Sequence, residues 1–210
     1  MTLSAPVAAI LLAGGRSSRM GGGDKGMRLL GGRPILARVI ERLQPQVGDM
    51  VINANGDMAR FAAFGLPVVA DALPDFAGPL AGVHAGLSWV RQHRPDIRHA
   101  VTAATDTPFL PADLVRRFLA AGEAGRLRVA RSNSGTHFVI GLWPVELASA
   151  LEASLAAGER KVGQWVAEHG AIEVDFPDFD IGGVSVDPFF NINKPEDLAY
   201  ADKVLREQAR

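Results

Sequence analysis

Three cations fall inside one glycine-rich stretch, Gly14-Gly15-Arg16-Ser17-Ser18-Arg19-Met20-Gly21-Gly22-Gly23-Asp24-Lys25-Gly26. Glycine lacks the Cβ that would keep backbone N–H groups from closing around phosphate oxygens, and Arg16, Arg19 and Lys25 add positive charge to the same loop. A turn that merely joined two elements would need neither this length nor these charges. The pattern predicts a phosphate-binding loop. Two familiar motifs do not account for it. Gly21-x-Gly23-x-x-Gly26 matches the dinucleotide fingerprint in spacing, but the preceding apolar run ends at Leu12 and no helix-length segment follows before Gly31-Gly32. Lys25 lies between Asp24 and Gly26, so the Gly-Lys-Ser/Thr of a Walker A loop is absent.

Further candidates stand at the ends of apolar runs. Asp106 follows Ala100 to Ala104, and ligands of α/β sheets sit beyond the carboxyl ends of strands. By residue type alone, such an Asp is most often a cap or turn former, although its oxygens also suit Mg²⁺. Asp71 ends another short apolar run. Asn53 is a polar residue among apolar neighbours, which fits a satisfied buried amide or a ligand contact. Gly78-Pro79-Leu80-Ala81-Gly82 reads as a loop entering a helix, either an anion contact or a plain helix start. Gly158-Glu159-Arg160-Lys161 could hold a second phosphate or be a solvated face. His84, His93, His99 and His169 have no metal-ligand spacing and read as surface or packing histidines.

The elements that would position these residues alternate in type. Val7 to Leu12, Met50 to Ala54, Val68 to Ala70 and Ala100 to Ala104 are short apolar runs expected of buried strands. Between them, Ile35, Val39 and Leu43 form a helical stripe, with Pro34 expected in that helix's first turn. Leu80, Val83, Leu87 and Val90 form a second stripe, over 79–92, and a helix after Pro111 carries Leu114, Val115, Phe118 and Leu119. After Gly122 the pattern loosens. Strands are expected at Val129-Ala130 and Phe138 to Leu142 around a turn at Asn133 to Gly135, then helices over 145–157 and 161–168 and one opened by Pro195. The expectation is one three-layer α/β/α domain over residues 1–210 with a mainly parallel sheet.

Bulk properties narrow the function classes. At 210 residues with 48% hydrophobic and 21% charged residues, the chain fits a globular domain. A formal net charge of −1 gives no general attraction to nucleic acid or anionic membranes. The absence of cysteine removes disulfides and thiolate chemistry. Val7 to Ala13 has no basic residue before it and no cleavage site after it, and no run approaches the ~20 apolar residues of a membrane span. A soluble cytoplasmic protein that binds neither nucleic acid nor membrane is expected.

Taken in order, Leu12-Ala13-Gly14-Gly15 and Arg19-Met20-Gly21-Gly22-Gly23-Asp24-Lys25-Gly26 resemble the signature of the MobA-like nucleotidyltransferases, and within them the molybdenum cofactor guanylyltransferase family. The resemblance continues through Val51 to Asn55, Asp71, Gly78 to Gly82, Thr105 to Pro108, Gly158 to Arg160 and Asn191 to Asn193. It implies a Rossmann-like fold and transfer of GMP from Mg-GTP to the phosphate of molybdopterin, with release of pyrophosphate. GTP and molybdopterin would be the substrates, and other proteins of molybdenum cofactor biosynthesis transient partners. The resemblance places Leu12, Ala13, Gly14, Gly15, Lys25, Asn53, Asp71 and Asp106 at the nucleotide, with Asp106 holding Mg²⁺ and Lys25, Arg19 and Asp106 serving the transfer. The N-terminal part would take the nucleotide and the C-terminal part the acceptor. Relatives that transfer CMP to molybdopterin, or a nucleotidyl group to a sugar phosphate, are the nearest alternative. Cytidylyl relatives tend to have Ala-Ala-Gly in place of Ala13-Gly14-Gly15 and Pro-Lys in place of Asp24-Lys25. The family's frequent His-Pro appears here as His137-Phe138, which weakens any transfer of a role to His137. Lys194 replaces a small polar residue.

Overall fold

A computed structural model of the chain describes residues 6–13, 24–72, 78–123 and 125–208. It runs through β1 (Val7–Leu12), the hairpin of β2 (Leu29–Leu30) and β3 (Arg33–Pro34), α1 (Ile35–Leu43), β4 (Asp49–Asn53) and β5 (Val68–Val69). Then come α2 (Pro79–His93), β6 (His99–Ala104), α3 (Leu114–Ala120), β7 (Arg128–Ser132), β8 (Gly135–Pro144), α4 (Ala148–Ala156) and α5 (Val162–Glu168). The chain closes with β9 (Ile172–Asp175), the hairpin of β10 (Phe179–Ile181) and β11 (Val184–Val186), and α6 (Pro195–Gln208).

The main sheet has the order β5-β4-β1-β6-β8-β7-β9. β1 is parallel to β4 on one side and β6 on the other, with Leu12 opposite both Asn53 and Ala104. Only β8 runs against its neighbours, antiparallel to β6 and β7. The chain therefore leaves β1 in opposite directions toward β4 and β6, which makes the carboxyl end of β1 the sheet's topological switch point.

β1 shows why the apolar runs become central strands. Val7, Ala9 and Leu11 join the core that covers α1 and α3, whereas Ala8 and Ile10 join the core beneath α2, α4 and α5. With both faces covered, every position must be apolar, which is what a continuous run supplies. Each fully buried Ile or Leu contributes about 1.5–3 kcal/mol. α2 lies close on the sheet because Gly82 and Gly86 present no side chain to it. A Cβ on Gly86 would stand 2.4 Å from Ile10 Cγ2, and one on Gly82 only 3.0 Å from Leu12 Cδ2.

A third core joins α6 to the two hairpins through Leu30, Ile35, Phe109, Ile181, Val186, Ile192, Ala201 and Val204. The expected three layers and mainly parallel sheet are present. Pro34 differs from expectation: it belongs to β3 and stands just before α1, with extended ψ of 140°. The β2–β3 pairing draws it out of the helix. β9, β10 and β11 also appear where the sequence pattern had loosened. Among the described residues, no helix is long and apolar enough to cross a membrane.

Candidate active site

The carboxyl ends of β1, β4 and β6 bring most of the described candidates to one edge. Leu12, Ala13, Asp24, Lys25, Thr105 and Asp106 line a cleft there, together with Asn191. Its floor is tied by backbone bonds: Ala13 N–H donates to Asn53 O at 2.9 Å and Thr105 N–H to Leu12 O at 3.4 Å. Gly14, Gly15, Arg16 and Arg19 lie outside the described residues.

Lys25 is aimed by its neighbours. Asp24 accepts a hydrogen bond from Gly26 N–H at 3.0 Å, forming a single helical turn over Lys25–Met27. The other Asp24 oxygen meets Arg60 Nε at 3.3 Å. Gly26 fits against Thr105, whose side chain would lie 3.0 Å from an added Cβ. The Lys25 ammonium then reaches Asn193 Oδ1 at 2.5 Å and Asp106 Oδ2 at 3.7 Å.

Asp106 is the notable electrostatic feature. Its Oδ1 is buried without a hydrogen-bond partner among the described residues, as is Asn191 Oδ1 in the same cleft. Burial raises the Asp106 carboxyl above its ordinary value, and the nearby Lys25 charge opposes this without reversing it. The segment carrying Asn191 is fixed by Ile192 N–H donating to Asp106 O at 3.0 Å. Neither Asn191 nor Asn193 was assigned a role from sequence. Their i, i+2 spacing around the buried Ile192 was the available signal, since alternate residues of an extended segment share a face.

On the β4 side, Asn53 is buried and donates to Val69 O at 3.3 Å and to Asp71 Oδ1 at 2.9 Å. Asn55 donates to Asp71 Oδ2 at 2.8 Å and accepts from Asp71 N–H at 2.9 Å. Arg60 donates to Asn55 O, which connects this group to Asp24 and hence to Lys25. Asn53 is therefore a satisfied buried amide that also orients Asp71. Gly82 makes room for it, because a Cβ there would stand about 2.3 Å from Asn53 Oδ1.

Gly158 to Lys161 approaches the start of α2: a Cβ on Gly78 would lie 3.7 Å from Arg160 O. The Arg160 guanidinium donates to Glu159 O at 2.9 Å and Leu155 O at 3.3 Å, beside the last turn of α4. His137 lies on the opposite side of the cleft, on β8. Its neighbour Phe138 points toward α5, with ring carbons 3.1 Å from where a Gly163 Cβ would be. His84, His93 and His169 each hydrogen-bond locally, with Ser88, Trp89 O and Trp165 O, while His99 opens β6 with its Nε2 buried and unpartnered among the described residues.

The cleft thus sets a cation, Lys25, beside the carboxylate of Asp106 at the switch point of a mainly parallel sheet, where such sheets bind their ligands. Residues 9–172 match the model of the MobA-like NTP transferase domain, and the chain belongs to that family. It is 50% identical over 207 residues to the molybdenum cofactor guanylyltransferase of Bradyrhizobium sp. (strain ORS 278), covering 97% of this chain and 95% of that one. It is 49% identical to the protein of the same name from Cereibacter sphaeroides, over 95% of this chain and 97% of that one. In fold it is similar to molybdopterin-guanine dinucleotide biosynthesis protein A from Archaeoglobus fulgidus, with a TM-score of 0.70, 23% identity, and coverage of 96% and 100%.

Proposed function

We propose that the protein transfers GMP from GTP to the phosphate of molybdopterin and releases pyrophosphate. Relatives of about half identity over nearly the whole chain carry the name of that activity. The observation that supports it at the site is the meeting of Lys25 with Asp106 Oδ2 in one cleft, while the other Asp106 oxygen, Oδ1, is buried there without a hydrogen-bond partner among the described residues.

An acceptor phosphate oxygen attacks the α-phosphorus of GTP. A new P–O bond forms there, the bond to the bridging β-oxygen breaks, and pyrophosphate departs with that electron pair. No protein nucleophile is required, so the side chains act by placement and by charge. Lys25, held between Asn193 and Asp106, carries its ammonium toward the triphosphate. Asn53 and Asp71 form the nucleoside side of the cleft. Gly14, Gly15 and Arg19 extend the phosphate cradle in this reading.

Asp106 Oδ1 and Asn191 Oδ1 are oxygen donors of the type Mg²⁺ prefers, and their buried positions suit it. Among the described residues no group of three or more His, Asp or Glu gathers, so phosphate and water would supply most of the coordination. When bound, the ion supplies positive charge to the α-phosphate. The N-terminal part of a single domain takes the nucleotide and the C-terminal part takes the acceptor. Cytoplasmic location and transient contacts with other molybdenum cofactor proteins follow from the same reading.

Titration calorimetry with GTP, CTP, ATP and UTP in the presence of Mg²⁺ tests the choice of nucleotide. GTP is expected to bind tightest. A preference for CTP, or no preference, would count against guanylyl transfer.

A further inference from the structure

Asp24 poses an electrostatic problem that the transfer step leaves unanswered. It lines the cleft beside Lys25, where the proposed ligand is a strongly anionic triphosphate. A carboxylate in that place repels phosphate and competes for the Lys25 ammonium. Its charge does reach the centre of the site: burial is the main cause of the raised Asp106 carboxyl, and Asp24 adds to it. Yet among the described residues the Lys25 ammonium bonds Asn193 and pairs with Asp106, and passes over its own neighbour.

Arg60 accounts for this. Both Asp24 oxygens are taken: Oδ1 accepts from Gly26 N–H at 3.0 Å and Oδ2 from Arg60 Nε–H at 3.3 Å. The Asp24 side chain is 10% exposed and that of Arg60 29%, so water screens this pair less than one on the open surface. The guanidinium is fixed in its own right. It belongs to the 3₁₀ segment Met58–Phe64, which Asp57 caps by accepting from Ala59 N–H at 2.9 Å. One terminal nitrogen donates to Asp57 O and the other to Asn55 O at 3.1 Å. Its central carbon stands 4.3 Å from the centroid of the buried Phe61 ring. A planar fork can satisfy all of these directions together, which an ammonium cannot. The residues lining the cleft include Asp24 but not Arg60, so the guanidinium stands behind the carboxylate and is not offered to a ligand.

We propose that Arg60 is a positioning residue for the nucleotide: a fixed counter-charge that holds Asp24 on the Gly26 N–H and leaves the Lys25 ammonium free for phosphate. The inference rests on the proposed reading of this cleft as the GTP site. Without Arg60, Asp24 would carry an unbalanced charge at the cleft, next in sequence to the ammonium. Lys25 would be drawn to it, and the triphosphate would meet a bare carboxylate. Arg60 therefore acts through Asp24 and touches no reacting atom. A mere brace for residues 55–60 would need the bonds to Asn55 and Asp57 but not the ion pair with Asp24.

A double-mutant cycle of Arg60→Met and Asp24→Asn separates these roles, read by titration calorimetry with GTP and with guanosine in Mg²⁺. Met keeps an apolar stem on Phe61, and Asn still accepts from the Gly26 N–H. Arg60→Met should weaken GTP about tenfold and guanosine less than about threefold. Adding Asp24→Asn to Arg60→Met should restore most of the GTP affinity, because no carboxylate is left to balance. If Arg60→Met alone fails to fold, the other side of the cycle decides. In the Asp24→Asn background, loss of Arg60 should change GTP affinity by less than about threefold. Equal weakening of GTP and guanosine, or a comparable GTP loss in both backgrounds, would overturn the inference and make Arg60 a brace of the fold. Either result leaves the proposed reaction standing, since wild type still binds GTP. Wild type that binds no GTP overturns that reaction and this inference together.

Discussion

Burial holds the Asp106 carboxyl above its ordinary value, with the Lys25 ammonium too weak a counterweight to reverse the shift. Folding without ligands is therefore opposed by ionising this group. A carboxyl that is harder to ionise when folded costs stability as pH rises past its unfolded value, and the full cost is present above its folded value. Asp106→Asn should accordingly raise Tm near neutral pH in the absence of metal and nucleotide, and reduce the pH dependence through the acid range. The same variant should lose most transfer at limiting Mg²⁺, since the amide keeps an oxygen but not the charge. A lowered Tm, or near-normal transfer, would contradict the assignment. For Lys25→Ala, GTP affinity should fall by about 1.5–3 kcal/mol while guanosine binding is hardly changed. Equal losses in calorimetry would make Lys25 a structural residue. The charge of its loop singled out Lys25 in the sequence, whereas Asp106 read by residue type as a cap or turn former and was named at the nucleotide only by the family resemblance. Asn193 was given no role, because it meets Lys25 across 168 residues and its spacing from Asn191 shows a shared face without showing what that face meets.

Among the elements, α2 shows most clearly how packing sets the site. Gly82 and Gly86 are one helical turn apart and both face the sheet. Gly86→Ala would force a methyl onto Ile10, at a cost of about 1–3 kcal/mol. In a domain of this size that lowers Tm by roughly 2–4 °C per kcal/mol, with little effect on nucleotide affinity. Gly82→Ala should instead displace Asn53 and weaken nucleotide binding beyond its effect on stability. Thermal melts and GTP titrations of the two variants separate these outcomes, and identical behaviour would show that Asn53 has no special part. The long elements were readable because each carries a full period of apolar residues. The β2–β3 and β10–β11 hairpins have strands of two or three residues, too short for alternation to register. All four turn glycines, Gly31-Gly32 and Gly182-Gly183, have positive φ; the first pair stood out in the sequence, the second drew no reading, and nothing local says what either turn packs against.

The whole molecule combines a two-faced sheet with the smaller core that holds α6 and the hairpins. Ile192 belongs to that smaller core, and its neighbours Asn191 and Asn193 reach the cleft. Ile192→Ala should cost about 2–5 kcal/mol in denaturant unfolding and slow transfer even where the protein remains folded. Full transfer activity under those conditions would mean that the small core supports the fold without positioning the asparagines. The three-layer architecture was apparent from the alternation of elements, whereas this core was not, since its residues come from segments scattered along the chain. The most direct measurement of the central claim supplies GTP labelled at the α-phosphate together with Mg²⁺ and molybdopterin, and follows where the label goes. The account predicts label in a pterin–guanine dinucleotide, one pyrophosphate released per label transferred, and neither product without molybdopterin. Label left in GTP, or equal transfer from CTP, would contradict it.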